Sequence, residues 1–234
     1  MRWARMGYHW TAALGSLLAG CSGGPDRPLS APPAKDIPAP PDTRRTVLFV
    51  GTSITAGLGL DPADAYPARI QVKVDSAGLP FRVINAGVSG ETSAGALRRI
   101  DWLLSQGAVG VLFVETGAND GLRGQPVDSL RSNLEAILAK ASAATPRPVL
   151  VVAGMEAMPN LGRSYGSEFR SLFPAVAQQY GAYYLPFLLN GVAGIDSLNQ
   201  ADGIHPTPRG ARMVADNVWK VLRPILDSLV GARH

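Results

Sequence analysis

From residue 46 onward the chain alternates short apolar runs with longer amphipathic stretches, and this alternation limits its possible folds more than any other feature. The runs are Thr46-Val47-Leu48-Phe49-Val50, Arg82-Val83-Ile84-Asn85, Val109-Gly110-Val111-Leu112-Phe113-Val114, Val149-Leu150-Val151-Val152 and Tyr183-Tyr184-Leu185. A strand that is apolar at consecutive positions needs cover on both faces, which is the condition of a parallel sheet. Between the runs, apolar residues recur at helical spacing: Leu97, Ile100 and Leu104; Leu130, Leu134, Ile137 and Leu138; Phe169, Leu172 and Val176; and Val214, Val218, Val221, Ile225 and Leu229. These stripes are assigned to the core. The expected fold is α/β, a parallel sheet with helices on both sides and right-handed crossovers. In such sheets ligands bind beyond the carboxyl ends of the strands.

Upstream the chain has a different character. Arg2 and Arg5 precede an uncharged stretch whose apolar centre, residues 10–19, is too short and too rich in glycine to span a bilayer comfortably. It fits a secretory signal over residues 1–20. Its end, Leu18-Ala19-Gly20-Cys21, resembles the lipobox of bacterial lipoproteins, which implies cleavage before Cys21 and acylation of that cysteine. Several acyl chains would hold the protein at a membrane, each buried methylene contributing roughly 0.8 kcal/mol. With Ser22 next, the same resemblance implies a bacterial cell-envelope address, lipid-anchored at the outer membrane and facing the periplasm. Residues 21–45 are rich in proline and lack apolar periodicity, so they read as an extended tether. Residues 46–234 remain as one domain of ordinary size.

Charge and rare residues narrow the chemistry. The whole chain has 22 Lys and Arg against 18 Asp and Glu, yet from residue 46 onward the count is 16 against 15. The basic excess lies at the front, and a nucleic-acid partner is not expected. Cys21 is the only cysteine, which excludes an intrachain disulfide and a cysteine zinc site. Of the three histidines, His9 lies in the leader and His234 ends the chain. Any histidine mechanism in the domain must therefore use His205. No metal cluster can be built around one imidazole without cysteine, no G-x-x-x-x-G-K motif exists, and no cofactor is expected.

Four polar features follow strand ends or approach the last helix. Gly51-Thr52-Ser53-Ile54-Thr55 comes after the first run and places a serine at a helix N-terminus, where the N–H groups favour developing negative charge. A helix cap would look the same. Asn85-Ala86-Gly87-Val88-Ser89-Gly90-Glu91-Thr92 has glycines that let the backbone approach a ligand. Thr116-Gly117-Ala118-Asn119-Asp120-Gly121 can turn an asparagine amide into the same crevice. Plain turns are the alternatives for both. In Asp202-Gly203-Ile204-His205-Pro206 a carboxylate stands three residues before the histidine. It can reach Nδ1–H and fix the tautomer so that Nε2 takes a proton from a serine.

In this order the four features resemble the motif blocks of the SGNH (GDSL-type) hydrolases, in particular the lysophospholipase/thioesterase/arylesterase branch. Gly57-Leu58-Gly59, Ala65-Tyr66-Pro67 and Asn119-Asp120-Gly121-Leu122-Arg123-Gly124 fit that branch, and the likeness runs from about Val47 to the last helix. The resemblance implies a flavodoxin-like three-layer α/β/α fold around a mostly parallel five-stranded sheet. It implies Ser53 as nucleophile, His205 as base and Asp202 as its orienting partner. The Ser53 N–H, the Gly90 N–H and the Asn119 amide would form the oxyanion hole, and Gly121, Leu122, Arg123 and Gly124 would contact substrate. The activity implied is cofactor-free hydrolysis of an aryl ester, lysophospholipid or acyl thioester through an acyl-enzyme, by a monomer. An envelope polysaccharide deacetylase and a non-catalytic ligand-binding lipoprotein are the rivals. Two motif blocks depart from the family: Thr52 and Ile54 replace the usual Asp and Leu around the serine, and Ala118 replaces a frequent glycine.

Two other patterns are weaker. Gly162-Arg163-Ser164-Tyr165-Gly166 matches the G-x-S-x-G elbow, but residues 155–161 separate it from the nearest apolar run, whereas an elbow must leave a strand directly. Glu91, Glu115 and Asp120 offer carboxylates for glycosidic cleavage, but sequence cannot supply the separation that chemistry needs. Residues 121–126 and 155–161 are the expected walls of an acyl pocket.

Overall fold

A computed structural model of the chain describes residues 42–232. The expected leader, Cys21 and nearly all of the tether lie outside them.

The apolar runs become β1 (Arg45–Gly51), β2 (Phe81–Gly87), β3 (Val109–Val114), β4 (Val149–Ala153) and β5 (Tyr183–Leu185). They form one sheet in the order β2-β1-β3-β4-β5, and every neighbouring pair is parallel. The central strands are the most apolar because both faces are covered: every residue of β3 is buried, as is all of β1 after Arg45. Phe49 packs its ring 4.9 Å from Phe113 and 5.5 Å, edge-on, from Tyr66. The edge strand β5 is only three residues long and leaves Tyr183 exposed.

The described residues form seven α-helices: α1 (Ser53–Ala56), α2 (Tyr66–Ser76), α3 (Ser93–Ser105), α4 (Ala118–Leu122), α5 (Val127–Ala143), α6 (Arg163–Tyr180) and α7 (Pro208–Gly231). α3, α5 and α6 pack side by side as one layer and α2 packs against α7 as the other, giving the expected three-layer α/β/α architecture. The stripes of α5, α6 and α7 are buried largely as their spacing predicts. In α3 the buried apolar residues are Ala96, Ile100 and Leu103, whereas Leu97 and Leu104 are only partly covered, so the inward face lies a fraction of a turn from the expected one. α2 does not stand out in the sequence: its buried residues Tyr66, Pro67, Ile70 and Val74 make one narrow line through a polar segment.

Strand order fixes where the chemistry sits. The chain steps from β1 to β2 on one side, then crosses back to β3 and continues outward, so direction reverses between β1 and β3. The two strands stay paired through Val50 and Val114, and the connections after them lead to opposite helix layers, the arrangement that opens a crevice beyond the strand ends. The segments carrying Ser53 and Asn119 leave the sheet there.

Candidate active site

Ser53 stands where β1 turns into α1: Thr52 is still extended at φ −100°, and helical geometry begins at the serine. The Ser53 carbonyl accepts the N–H groups of Gly57 and Leu58, each at 3.0 Å, which closes the turn. Beneath lies Glu115, fully buried just beyond β3. Its carboxylate accepts the Thr52 N–H at 2.8 Å, the Thr52 hydroxyl at 2.9 Å and the Thr55 hydroxyl at 2.7 Å. Thr55 Oγ1 is in turn 2.8 Å from the Tyr66 hydroxyl. Thr52, at the position where the family pattern has aspartate, thus donates to a carboxylate that arrives from β3. Burial pushes the Glu115 carboxyl upward, against the lowering effect of these donors. The sequence reading weighed Glu115 only as half of a carboxylate pair; an acid directly after an all-apolar strand was the available signal.

His205 comes from the loop between a short 3-10 turn, Asp196–Leu198, and α7. Its Nε2 lies 2.8 Å from Ser53 Oγ, across 152 positions of sequence, and its Nδ1 lies 2.6 Å from Asp202 Oδ2. The other carboxylate oxygen accepts the N–H groups of Ile204 at 2.9 Å and His205 at 3.0 Å, so the three-residue spacing folds Asp202 back onto the ring. The His205 ring above all, then these two backbone donors, holds the Asp202 carboxyl well below the usual carboxylate range. An ionised carboxylate at Nδ1 keeps the proton there and leaves Nε2 to accept from the serine.

Two further segments carry the other expected site residues, Gly90 and Asn119. Asn119 is the second residue of α4, and its Nδ2 donates to the Glu91 carbonyl at 3.0 Å, using one of its two hydrogens. Gly90 offers its carbonyl to Arg123 Nη2 at 2.9 Å. Asp120 is buried and accepts the Ser93 N–H at 2.9 Å and hydroxyl at 2.6 Å, which pins α4 to the start of α3. Gly117 takes φ +100°, a value open to glycine, and Ala118 therefore enters α4 in ordinary helical geometry with its Cβ accommodated. Glu91 is paired with Arg99 at 2.5 Å, so each of the three acids considered for glycosidic cleavage is engaged inside the protein.

An apolar pocket of about 430 Å³ lies beside α1. Ile54, Ala118 and Leu122 line it, together with residues 155–159. So do Phe187, Leu189 and Ile204, which the sequence did not mark. Of the four residues expected at substrate, Leu122 is among the lining; Gly121 is buried against Phe169, Arg123 reaches Gly90, and Gly124 closes the turn through its N–H to Gly121. Ser164 lies in the first turn of α6 and hydrogen-bonds Glu168 at 3.0 Å, with a 3-10 turn before it in place of a strand. Among the described residues no group of three or more His, Cys, Asp or Glu could hold a metal ion.

A hydroxyl, an imidazole and a carboxylate joined in series at the switch point of a parallel sheet define the serine hydrolase class. The sequence model of the GDSL-like lipase/acylhydrolase family matches residues 49–213. Over 182 residues the chain is 40% identical to Esterase TesA of Pseudomonas aeruginosa, covering 78% of this chain and 90% of that one. It is 34% identical to Thioesterase 1/protease 1/lysophospholipase L1 of Escherichia coli K12, covering 78% and 85%. The crystal structure of the psychrotrophic esterase EstA from Pseudoalteromonas sp., inhibited by monoethylphosphonate, superposes with a TM-score of 0.74 at 32% identity, covering 78% of this chain and 99% of that one. The chain belongs to the GDSL-like lipase/acylhydrolase family, the SGNH hydrolases, and is a carboxylic ester hydrolase.

Proposed function

We propose that Ser53 is the nucleophile of an acyl-enzyme mechanism in which His205 is general base and Asp202 its orienting partner. The observation that carries this is the series Ser53 Oγ, His205, Asp202, with contacts of 2.8 and 2.6 Å. His205 Nε2 takes the hydroxyl proton as Ser53 Oγ attacks the acyl carbonyl; the imidazolium returns that proton to the leaving alcohol or thiol. A water activated by the same nitrogen then releases the acid. The Ser53 and Gly90 N–H groups and the second Asn119 N–H would receive the oxyanion. One such donor can be worth about 2.7 to 4 kcal/mol, because it acts where charge develops.

The protein acts on small ester or acyl substrates. Apolar pocket walls, with Leu122, Met158 and Ile204 all exposed at its rim, support an acyl chain as the bound portion. Aryl ester, acyl thioester and lysophospholipid are the classes read for this chain, and the E. coli relative's name carries the last two. Among the described residues no helix is long and apolar enough to cross a membrane. The lipobox-like Leu18-Ala19-Gly20-Cys21, followed by Ser22, supports an outer-membrane lipid anchor facing the periplasm.

The decisive test is labelling with a fluorophosphonate. Wild-type protein should label and turn over short acyl aryl esters, and Ser53→Ala should do neither while keeping its melting temperature. Turnover by Ser53→Ala at the wild-type rate would overturn the assignment.

A further inference from the structure

The contact between Ser53 and His205 joins two loops that the sequence places 152 positions apart, and a 2.8 Å proton-transfer distance needs both loops held in register. One side chain spans them. Gln200 Nε2 donates to the Leu58 carbonyl at 2.8 Å and to the Pro206 carbonyl at 3.0 Å, so both hydrogens of its amide are used, one on each loop. Leu58 is tied to the nucleophile directly, since its N–H donates to the Ser53 carbonyl. On the other side, the Gln200 N–H donates to the His205 carbonyl at 2.7 Å, and the Gln200 carbonyl accepts the Gly203 N–H at 2.9 Å. The serine backbone and the histidine backbone are thus linked through one residue, by the Gln200 side-chain amide on one side and its backbone N–H on the other. The fit is close: Gly59 holds φ +77°, and a Cβ there would fall 2.3 Å from Gln200 Oε1.

We propose that Gln200 is a positioning residue that sets the alignment of Ser53 with His205; this rests on the acyl-enzyme reading above. It touches neither reacting atom. Its two N–H groups stop the 57–60 loop and the 202–206 loop from sliding past each other. The Asp202 to His205 bond lies within one loop and does not depend on it.

Gln200→Met tests this, because methionine keeps the length and volume of the side chain but has no N–H. Gln200→Glu tests it again with an isosteric carboxylate that faces both carbonyls with oxygen. In both variants kcat for a short acyl aryl ester should fall on the order of 10-fold to 100-fold, the loss expected of slight misplacement of reacting groups. KM should stay within about threefold, which separates alignment from binding. Every chain should still label with the fluorophosphonate, at a rate lowered in parallel with kcat. A kcat for Gln200→Met within about twofold of wild type, or a loss confined to KM, would overturn the proposal. So would a kcat loss matched by an equal fraction of chains that no longer label. Ser53→Ala is the control: activity there sinks the acyl-enzyme reading itself, whereas an inactive Ser53→Ala beside a fully active Gln200→Met sinks only the role of Gln200.

Discussion

At residue 52 this chain has a hydroxyl where its family commonly has a carboxylate, and Glu115 is what makes that choice consequential. Glu115 is raised by burial, so the native state holds its proton more tightly than the unfolded chain does. The stability tied to it is complete below the ordinary glutamate value of about 4.3 and is lost as pH rises through the higher folded value. Urea midpoints of wild type measured against Glu115→Gln should therefore show a relative advantage that shrinks from acid toward neutral pH. Thr52→Asp should steepen the effect, since two adjacent buried carboxylates cannot both ionise without strong repulsion. Its midpoint should drop further below wild type at about pH 8 than at about pH 5, the direction set by proton sharing in the folded pair. Asp202 has the opposite sign, being depressed by His205 and two backbone donors. Replacing it by asparagine should lower kcat by about 10⁴-fold through loss of the correct histidine tautomer, with KM little changed.

The elements that carry these residues are short, and their placement depends on neighbours. α4 has five residues and cannot hold itself together by helical bonding alone. Asp120 fastens it to α3 through Ser93, and Asn133 Nδ2 supports the Ser93 hydroxyl at 2.9 Å. Asp120→Ala would leave the buried Ser93 N–H unpaired, at a cost of about 1 to 3 kcal/mol by denaturant unfolding. It should also lower kcat, because Asn119 is the adjacent residue. The loop after β4 supplies a wall of the apolar pocket through Met155, Ala157 and Met158. Ala157→Phe should fill part of that volume and shift the acyl-length profile downward. Short acyl aryl esters should keep their kcat/KM while long ones lose roughly 10-fold or more, as expected when methylenes no longer fit. The sequence offers residues 155–161 as an apolar segment able to close over a chain, and residues 155–159 line this pocket; of the other expected wall, residues 121–126, only Leu122 does. The sequence does not point to Phe187, Leu189 or Ile204, which reach the pocket from after β5 through folding alone.

On the scale of the whole molecule, the site and the core are separable. Leu222 on α7 is fully buried and far along the helix from His205. Leu222→Ala should cost about 2 to 5 kcal/mol and lower the melting temperature, while kcat and KM at 25 °C stay at wild-type values. Secondary structure and layer order were legible because a strand buried on both faces must be apolar throughout, and a helix on one face must be apolar at its own period. The Asp202 to His205 pairing was legible too, being local: three residues suffice to fold the carboxylate onto the ring. α2 escaped because four buried residues, two of them adjacent at its start, make too thin a stripe to stand out from a polar segment. Sequence alone determined the strands, the covering helices α3, α5, α6 and α7 and the residue types available for catalysis, since each follows from patterns within a few turns or strands. Only the tertiary structure decided that Glu115 lies under the serine and that Gln200 bridges to Leu58, and it set the contact between Ser53 and His205 that the family resemblance implied. Those contacts cross 63, 142 and 152 positions, and such pairings depend on how whole layers pack, which no local pattern records.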